Sequence, residues 1–535
     1  RTCTGSGGPG GAGGSGGGGA CIPGPDGTGE ELTDDCGIFV AKSGDDMNGG
    51  STGAPVASLA KAVELAAAGA AKRVYACAEE FTEAVSVPAG VSIYGGLDCA
   101  SGTWKYVGDT TKTVFAPAAD MVPLTLLAGD GITTISDIEA RALDATIDGG
   151  SSIAAIADGI QASLVRVSLV AGAGKDGANG TTPEPVGPTD PNDPAIKGSD
   201  GTAACTIAME TPGGDEKANP TCTTSIGGKG GSGMEASGTA GADGQPLPDP
   251  NPDAWGLGGA GAGAGACKPG GPGNFGSDGA PGAGGTSLGT LSGNGIAGAS
   301  GAPGEAGTPG QGGGGGGGAK GKAACAGASG GGGGAGGCGG PGGLGGQAGG
   351  SSIALIGVNV SFTMTDVTMK VSTGGKGGDG ADGQNGSIGG LGGLGGTAAA
   401  GTFKGCSGGE GGVGGFGGKG GGGRGGHAIG LAFMGGTPPT SGFTVEPGTP
   451  GTGGVGADDA GNGMPGVQAE SQEFEHPFTS SSSVALGEAQ ICGPSPSSSV
   501  ALGGAQIRGP SPSSSVALGG AQIRGPSPLF EPRSG

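Results

Sequence analysis

The chain has 535 residues, of which 144 are glycine, and it carries a net charge of −22 at pH 7. Aromatic residues make up only 3% of it, so a length that would suit several domains is not matched by the large side chains that conventional cores need. The acidic charge repels phosphate backbones, so nucleic acid is not an expected partner. The sequence contains no run of 18 apolar residues, so we predict no membrane-spanning helix.

The first ordered elements predicted along the chain are a strand and a helix. The strand is expected at Gly-Ile-Phe-Val, residues 37–40. A single amphipathic helix follows, with Pro55 in its first turn and Ser51 and Thr52 as candidate caps. Gly69 is placed to end it. We expect this helix to cap the N-terminal end of the fold.

From residue 74 to residue 170 the pattern changes to short β runs separated by turns, which suits a sandwich or a solenoid. Cys77 and Cys99 are 22 residues apart, about one coil of a parallel β-helix. A local pattern also recurs as ISDI, LVRV and MTDV, at residues 135–138, 164–167 and 364–367. Recurring short strands that stack in register favour the solenoid.

A longer repeat supports the same interpretation. Residues 149–177 align without gaps to residues 349–377, at an offset of 200, and a fainter copy begins at Gly425. The simplest fold is one β-helix interrupted by glycine-rich excursions. The predicted organisation is a glycine-rich linker (1–35), β-helix with the capping helix (36–171), glycine-rich insert (172–348), β-helix strands (349–373), glycine triplet insert (374–425), β-helix strands (426–447), glycine-rich segment (448–470) and disordered tail (471–535).

Residues 374–397 are eight consecutive triplets that each begin with glycine. A period of three matches a left-handed extended helix with three residues per turn. Most triplets in the chain are Gly-Gly-X, so two of three faces carry no side chain and several such helices can pack side by side. We therefore favour intrachain polyglycine II bundles, with collagen-like trimers and plain disorder as the alternatives.

The twelve cysteines, in a chain poor in other core-forming residues, predict disulfides and an oxidising compartment. No CxxC motif is present, which argues against a metal site. Cys3 precedes Gly/Ser-rich sequence like that of a lipoprotein tether, but Arg1-Thr2 is a poor lipobox ending, so a lipid anchor is not favoured. The disulfide candidates fall in short-range pairs whose connectivity the sequence leaves open: Cys3 and Cys21, Cys77 and Cys99, Cys205 and Cys222, Cys325 and Cys338.

Catalytic chemistry has few candidates. The two histidines, His427 and His476, cannot build a triad or a zinc site, and we expect His427 to be structural and His476 to lie in the tail. Acid–base work by two carboxylates remains open, although aspartates in β-helix turns usually cap backbone amides. The carboxylates and their candidate partners are Asp137, Asp144, Asp148 and Asp158, with Arg141 or Arg166. We predict no catalytic residue and no cofactor.

Two stretches partly fit calcium sites. GGKGGDGAD at 374–382 offers Asp379, but Ala381 is too small for the large apolar position of the calcium nonapeptide and the pattern is not repeated. GDDMNGG at 44–50 offers Asp45 and Asp46, for which an Asx-type turn is the commoner use. We therefore predict no metal site.

The blocks VYACAEEFTEAVSVPAGVSIYGGLDCASGTW (74–104) and GGSSIA (149–154), with their glycine-rich inserts, resemble a group of secreted glycine-rich proteins of myxobacteria. These are similar to right-handed β-helices of the pectin-lyase type that carry inserts like mycobacterial PGRS arrays. The resemblance runs from about Cys36 to Phe474. It implies a right-handed parallel β-helix and an extracellular or outer-surface location, and it implies no activity, because the pectin-lyase pattern of calcium-binding Asp plus Arg is not identifiable here.

Beyond Phe474 the sequence contains three near-identical copies of a 16-residue repeat, which begin at Ser481, Ser497 and Ser513. Their Ser and Pro content favours a disordered tail. For the whole chain we expect a non-enzymatic structural or adhesive protein of the cell surface, with a surface polysaccharide or other copies of itself as partners. The alternative is a carbohydrate-active β-helix enzyme, which needs exposed Asp and Arg side chains that converge on one face.

Overall fold

A computed structural model gives the structure of residues 21–25, 32–263 and 266–475. All of them belong to the first of two units, Arg1–Thr479, and the second unit, Ser480–Gly535, lies outside the described residues. Cys3, His476, most of the predicted linker and the repeats of the predicted tail therefore also lie outside them. Within the described part of the chain, no helix is long and apolar enough to cross a membrane.

The protein is mainly β, as the sequence predicts, with one α-helix and one short 3-10 helix at Asp34–Cys36 among the described residues. Most strands have between two and seven residues, and the two longer ones are β20 with 14 and β22 with 10. The elements are β1 (Ile38–Val40), α1 (Leu59–Ala68), β2 (Arg73–Cys77), β3 (Glu80–Phe81), β4 (Val85–Val87), β5 (Ser92–Asp98), β6 (Lys105–Tyr106), β7 (Thr113–Phe115), β8 (Leu124–Leu126), β9 (Ile132–Ser136), β10 (Ile138–Arg141), β11 (Ser152–Asp158), β12 (Gln161–Val165), β13 (Ser168–Val170), β14 (Glu210–Thr211), β15 (Lys217–Ala218), β16 (Ile226–Gly227), β17 (Gly233–Met234), β18 (Thr290–Ser292), β19 (Gly295–Ala297), β20 (Ser352–Thr365), β21 (Val367–Lys370), β22 (Ala428–Thr437), β23 (Phe443–Glu446) and β24 (Gln468–Glu473).

Two sheets of mostly parallel strands organise the chain. The larger has 12 strands, runs β1-β2-β5-β9-β12-β20-β11-β8-β4 with β22, β24 and β6 attached, and curls into a half-barrel. It curls because the two halves of β20 pair with different strands, the first with β11 and the second with β12. The smaller sheet has six strands in the order β23-β21-β13-β10-β7-β3.

The long repeat of the sequence determines strand register. β11 pairs with β20 from Ser152 opposite Ser352 to Asp158 opposite Val358, so partners differ by 200 positions. β12 on β20 and β13 on β21 keep the same offset. The offset persists because corresponding residues of the two copies occupy the same place on neighbouring strands.

The helix begins later than the sequence predicts. Its N-cap is Ser58, whose hydroxyl accepts the Lys61 backbone N–H at 3.2 Å, rather than Ser51 or Thr52. Val56, two residues before this cap, is extended and forms a parallel bridge to Val40 of β1. This tertiary pairing prevents the helix from starting at Pro55, where the local sequence predicts its first turn. Gly69 ends the helix as predicted.

A single large apolar cluster lies between the sheets, and α1 packs one face against it. A second cluster at the N-terminal end is aromatic. Phe39, Tyr75 and Tyr94 occupy the same register on β1, β2 and β5, with ring centroids 5.0 and 5.6 Å apart. Trp104 closes this stack edge-on against Phe39 at 4.7 Å.

The glycine-rich stretches have little regular strand structure but bond to one another along their length. In the 326–350 segment, every third backbone N–H from Gly331 to Gly349 donates to the 405–426 segment at 2.8–3.0 Å. The 405–426 segment donates in the same way to the 298–319 and 374–397 segments. Residues far apart in the chain are therefore neighbours in a regular array, which we call the glycine lattice.

Five disulfides join the described cysteines, and only one of them follows the short-range pairs of the sequence. Cys77, at the end of β2, bonds to Cys99, which directly follows β5. Cys205 bonds to Cys325 and Cys222 to Cys338, across 120 and 116 residues, rather than to each other within each short-range pair. The lattice explains this change of partners. The Cys205 N–H donates to the Ala326 carbonyl, so Cys205 lies beside Cys325 rather than Cys222. The remaining bonds join Cys21 to Cys36 and Cys267 to Cys406.

Candidate functional site: the exposed face of the glycine lattice

The sequence-predicted candidates Asp137 and Arg166 do converge, but inside the fold. Both occupy turns between strands, Asp137 after β9 and Arg166 after β12. The Arg166 guanidinium donates to both carboxylate oxygens of Asp137, from Nε at 2.8 Å and Nη2 at 2.7 Å. The Tyr106 hydroxyl and the Ser136 hydroxyl add donations of 2.7 Å each.

This cluster has the properties of a structural pair. Asp137 is 0% exposed, and four donors satisfy its two oxygens. Its hydrogen bond to Arg166 raises the pKa of the guanidinium, and burial, followed by the bond to Asp137, raises the pKa of Tyr106. A carboxylate held in this way is enclosed by its four donors, so it has no free edge for a substrate.

The other carboxylate candidates lie apart from this pair. Asp144 accepts the backbone N–H of Ala173 at 2.6 Å, which is a turn-capping role. Asp148 is exposed, and Asp158 lies against Gly293 of the β18–β19 hairpin. Arg141 pairs with Glu139 and Glu80 at the surface. The described residues thus bring only Asp137 and Arg166 together.

The calcium candidates bond to backbone and side-chain donors of the protein. Asp45 accepts the Met47 N–H at 2.9 Å in an Asx turn, and Asp46 accepts donors from Ala57 and Ser58 at the start of α1. Asp379 accepts the Val455 N–H at 2.8 Å and pairs with Lys376. No group of three or more potential metal ligands occurs within the described ranges.

His427 is buried at the start of β22. Its Nδ1 accepts the Val467 N–H at 2.9 Å, so the proton sits on Nε2 and is donated to the Leu288 carbonyl at 2.9 Å. Burial lowers the pKa of this imidazole. Both ring nitrogens are engaged, which leaves none for acid–base chemistry.

A shallow polar groove follows one corner of the strand stack. Its floor is glycine, because successive turns at this corner place Gly131, Gly159 and Gly436 in left-handed backbone conformations. Its polar side chains come from the turn before β9 and from strands β12, β20 and β22: Asp130, Gln161, Asn359, Ser361 and Thr437. The groove offers hydrogen-bonding groups in a row but one carboxylate only.

The most distinctive surface belongs to the glycine lattice. Three neighbouring segments, 268–285, 405–426 and 374–397, form its outer side, and we call this surface the outer face. Gly276 and Gly279 donate to the carbonyls of Val413 and Phe416, and Gly414 and Gly417 donate to those of Ser387 and Gln384. These bonds hold the three segments side by side in a fixed register.

Between Gly408 and Gly421 of the 405–426 segment, two positions of each triplet admit only glycine. A Cβ added at Gly415 would overlap the backbone carbonyl of Ser277, and one added at Gly414 would overlap that of Cys338. The third position is different, since the third column, Glu410, Val413, Phe416 and Lys419, projects away from both neighbours. Over this stretch the lattice therefore dictates two residues of each triplet and leaves the third free.

At these free positions the outer face carries large apolar side chains. Phe275 is 66% exposed, Phe416 is 57% exposed and Leu394 is 65% exposed. Val413, Ile388 and Leu391 lie partly exposed between them in the same register. Single exposed apolar residues are ordinary, but a group on one flat surface marks an interaction site. The period of three places these side chains on one side of each segment, but the sequence does not show which side faces solvent.

The outer face ends where residues 448–466 cover the lattice. Gly374, Gly377 and Gly380 donate to Thr449, Thr452 and Val455 of this covering segment. The free column of the 405–426 segment is glycine there, at Gly422 and Gly425, and a Cβ at either position would overlap the covering backbone. Where the covering segment packs on the lattice, the third position of the triplet is glycine. Where no covering segment is present, the third position carries a side chain.

Comparisons with protein families, with curated proteins and with solved structures found no match to this chain. The geometry of its own residues is the basis for any functional inference. Among the described residues, the polar groove and the outer face are two accessible surfaces of that geometry. Of these two, the outer face combines a regularly hydrogen-bonded backbone with side chains that no internal packing requires.

Proposed function

We propose that this chain is a non-enzymatic, secreted or cell-surface structural and adhesive protein. It presents glycine-rich lobes on a right-handed parallel β-helix, and the lobes are polyglycine II bundles. The outer face is the surface that makes contact, and the observation that carries the proposal is its row of exposed apolar side chains on a glycine lattice.

The β-helix part of the proposal is supported by a column of turns. One residue with positive φ recurs at the same register on successive strands of the stack. These residues are Asp137 (φ 57°), Arg166 (51°), Asp366 (53°) and Gly442 (84°), and on β5 the positive φ falls one position later, at Gly96 (68°). A repeated left-handed bend at one corner is what successive coils of a solenoid require, and parallel crossovers are right-handed in nearly all proteins.

The polyglycine II part is supported by the hydrogen-bond period. Each segment donates to one given neighbour at every third residue, as an extended helix with three residues per turn requires. Each such bond contributes only about 0.5–1.5 kcal/mol net, against the large backbone entropy of ordered glycine. Many bonds in a regular array, with three disulfides across the lobe, offset that entropy.

An extracellular location is supported by the disulfides. Five bonds in one chain persist in oxidising compartments and are rare in the cytosol. The net charge of −22 keeps a chain with exposed apolar side chains soluble. The candidate partners are a surface polysaccharide and other copies of the chain.

The proposal is tested by adsorption of the oxidised chain to insoluble cellulose, chitin and an acidic plant polysaccharide. The same samples are assayed for new reducing ends and for unsaturated uronate products. We expect adsorption or self-association without any product. A chain that neither adsorbs nor associates with itself would contradict the proposal.

The alternative, a carbohydrate-active β-helix enzyme, predicts product release in the same assay. The polar groove is the surface that would hold its substrate, with Asp130 as the only carboxylate among its lining residues. Products that disappear in Asp130→Asn would favour the enzyme over the structural role.

A further inference from the structure

The composition of the outer face needs an explanation that packing does not supply. Lattice geometry requires glycine at Gly411, Gly412, Gly414 and Gly415, whose Cβ atoms would overlap neighbouring backbone. It requires no particular residue at Val413 or Phe416, where a polar side chain would fit as well as an apolar one. Apolar residues at free, solvent-exposed positions point to a surface that is covered by something else.

The repeat of the outer face restricts what can cover it. Side chains of each segment recur every three residues, about 9 Å apart at the rise of an extended helix with three residues per turn. In the central 405–426 segment, bare Gly-Gly backbone separates them from Glu410 to Lys419. A partner whose side chains recur with the same period can insert them into these gaps, and a second outer face has that period.

The charge order along the central segment is self-complementary. Glu410, Val413, Phe416 and Lys419 run from acidic through two apolar residues to basic. Glu410 and Lys419 are nine residues apart, about 28 Å in this conformation, so they cannot pair within one chain. In two antiparallel copies related by a two-fold axis, each Glu410 faces the Lys419 of the other copy.

Neighbouring contacts leave both charged groups available. Lys419 reaches Asp382 at 3.5 Å, but that aspartate side chain is 82% exposed, and such pairs are weak. Glu410 is exposed and, among the described residues, takes part in no ion pair. The Phe416 backbone N–H is held by Asp278 at 2.8 Å, which fixes the position of the central aromatic residue.

We propose that the outer face is a self-association site, which binds the outer face of a second copy of this chain in antiparallel orientation. The apolar side chains Phe275, Val413 and Phe416 interdigitate at the centre, and two Glu410–Lys419 pairs close the ends. The inference rests on the proposed structural role and names its partner as the chain itself.

The test is sedimentation velocity of the oxidised full chain and its charge variants. The wild-type chain is expected to form a dimer at micromolar concentration. Glu410→Lys and Lys419→Glu each place like charges together at both ends of the dimer, and each is expected to weaken self-association about tenfold or more. An equimolar mixture of the two variants, and the double variant, restore opposite charges and should recover it.

A matched pair of variants tests the apolar centre. Phe275→Ser with Phe416→Ser is expected to abolish the dimer. Phe403→Ser removes a phenylalanine that is 52% exposed but lies between the 374–397 and 405–426 segments, outside the outer face, and should leave the dimer intact. Because all three side chains are exposed, circular dichroism should show that every variant keeps the fold.

Several outcomes would overturn the inference. A wild-type chain that stays monomeric, a Phe403→Ser variant as weak as the double serine variant, or charge variants whose mixture does not recover would each do so. Adsorption to polysaccharide without product, measured on a monomeric chain, would leave the proposed function standing while the self-association site failed.

Discussion

Gly415 and Phe416 are adjacent residues under opposite constraints. The first has a neighbouring carbonyl where a Cβ would lie, while the second points away from every neighbouring segment. The glycine content of this chain is therefore a set of individual steric requirements. It differs from the glycine of a flexible linker, where most positions tolerate alanine.

Alanine substitution should distinguish lattice glycines from loop glycines. Gly415→Ala forces the 268–285 and 405–426 segments apart, and overpacking of this kind costs about 1–3 kcal/mol or more. Gly53→Ala is the control, because nothing lies within 4 Å of its added Cβ. Thermal unfolding of the oxidised variants is the measurement. Equal melting temperatures for the two variants would mean that the segments are not held in contact.

Between strands, the turns also carry specific requirements. Asp137 and Arg166 both adopt left-handed conformations, which cost energy for residues other than glycine. Their side chains bond across successive turns and thereby tie neighbouring strands together. Asp137 and Arg166 are each the third residue of their pattern, ISDI and LVRV. The repeat therefore marks a structural position, although the residues at this position carry opposite charges in the two copies.

Removal of this buried charge should be far more damaging than removal of a surface charge. Asp137→Asn keeps the shape of the side chain but leaves Arg166 without its counter-ion, and breaking a buried pair costs about 3–5 kcal/mol. Glu80→Gln breaks an exposed pair with Arg141 and should cost about 0–1 kcal/mol. Denaturant unfolding midpoints compare the two, and similar shifts would show that Asp137 is accessible to water.

Across the whole molecule, three disulfides join segments of the lobe that are 116 to 139 residues apart in the chain. Cross-links that close long loops remove much conformational freedom from the unfolded chain. The lobe has no large apolar core among its described residues, where only a small alanine cluster is found. Its order therefore depends on backbone hydrogen bonds and on these cross-links together.

Hydrogen exchange resolved by residue tests this arrangement. Ser387, Gly390, Gly393 and Gly396 donate their N–H groups to the 326–350 segment and should exchange slowly. The 448–466 segment accepts N–H groups of the 374–397 segment only as far along as Gly380. Four later glycines therefore donate to no backbone carbonyl of the described residues and should exchange fast: Gly386, Gly389, Gly392 and Gly395. Protection should fall on reduction of the disulfides.

Uniformly fast exchange in the oxidised chain would contradict the lattice, and uniformly slow exchange would contradict the alternation. Protection that survives full reduction would show that hydrogen bonds alone hold the lobe. The 38–40 strand, which lies in the aromatic cluster, provides a protected reference in the same experiment.

Several features followed from the sequence because they depend on near neighbours or on repetition. Most short strands from β2 to β13 were predictable from their apolar runs and turn residues, the two-residue strands β3 and β6 excepted, and Gly69 marked the end of α1. The offset of 200 predicted the pairing of β11 with β20, because copies of one unit stack on each other. The strand β24 was not predicted, since its polar residues resemble a loop and only its bonds to β22 make it a strand.

The sequence by itself determined that the chain is mainly β, rich in disulfides and built from stacked repeats with glycine inserts, since composition and period act locally. Tertiary structure alone decided which cysteines pair, that Ser58 caps the helix, that Asp137 is buried, and which side of the triplets faces solvent. Those outcomes depend on contacts between segments that are distant in the chain, from 29 residues for Asp137 with Arg166 to 139 for Cys267 with Cys406, or on an extended pairing such as that of Val56 with β1. No local pattern in the chain encodes such contacts.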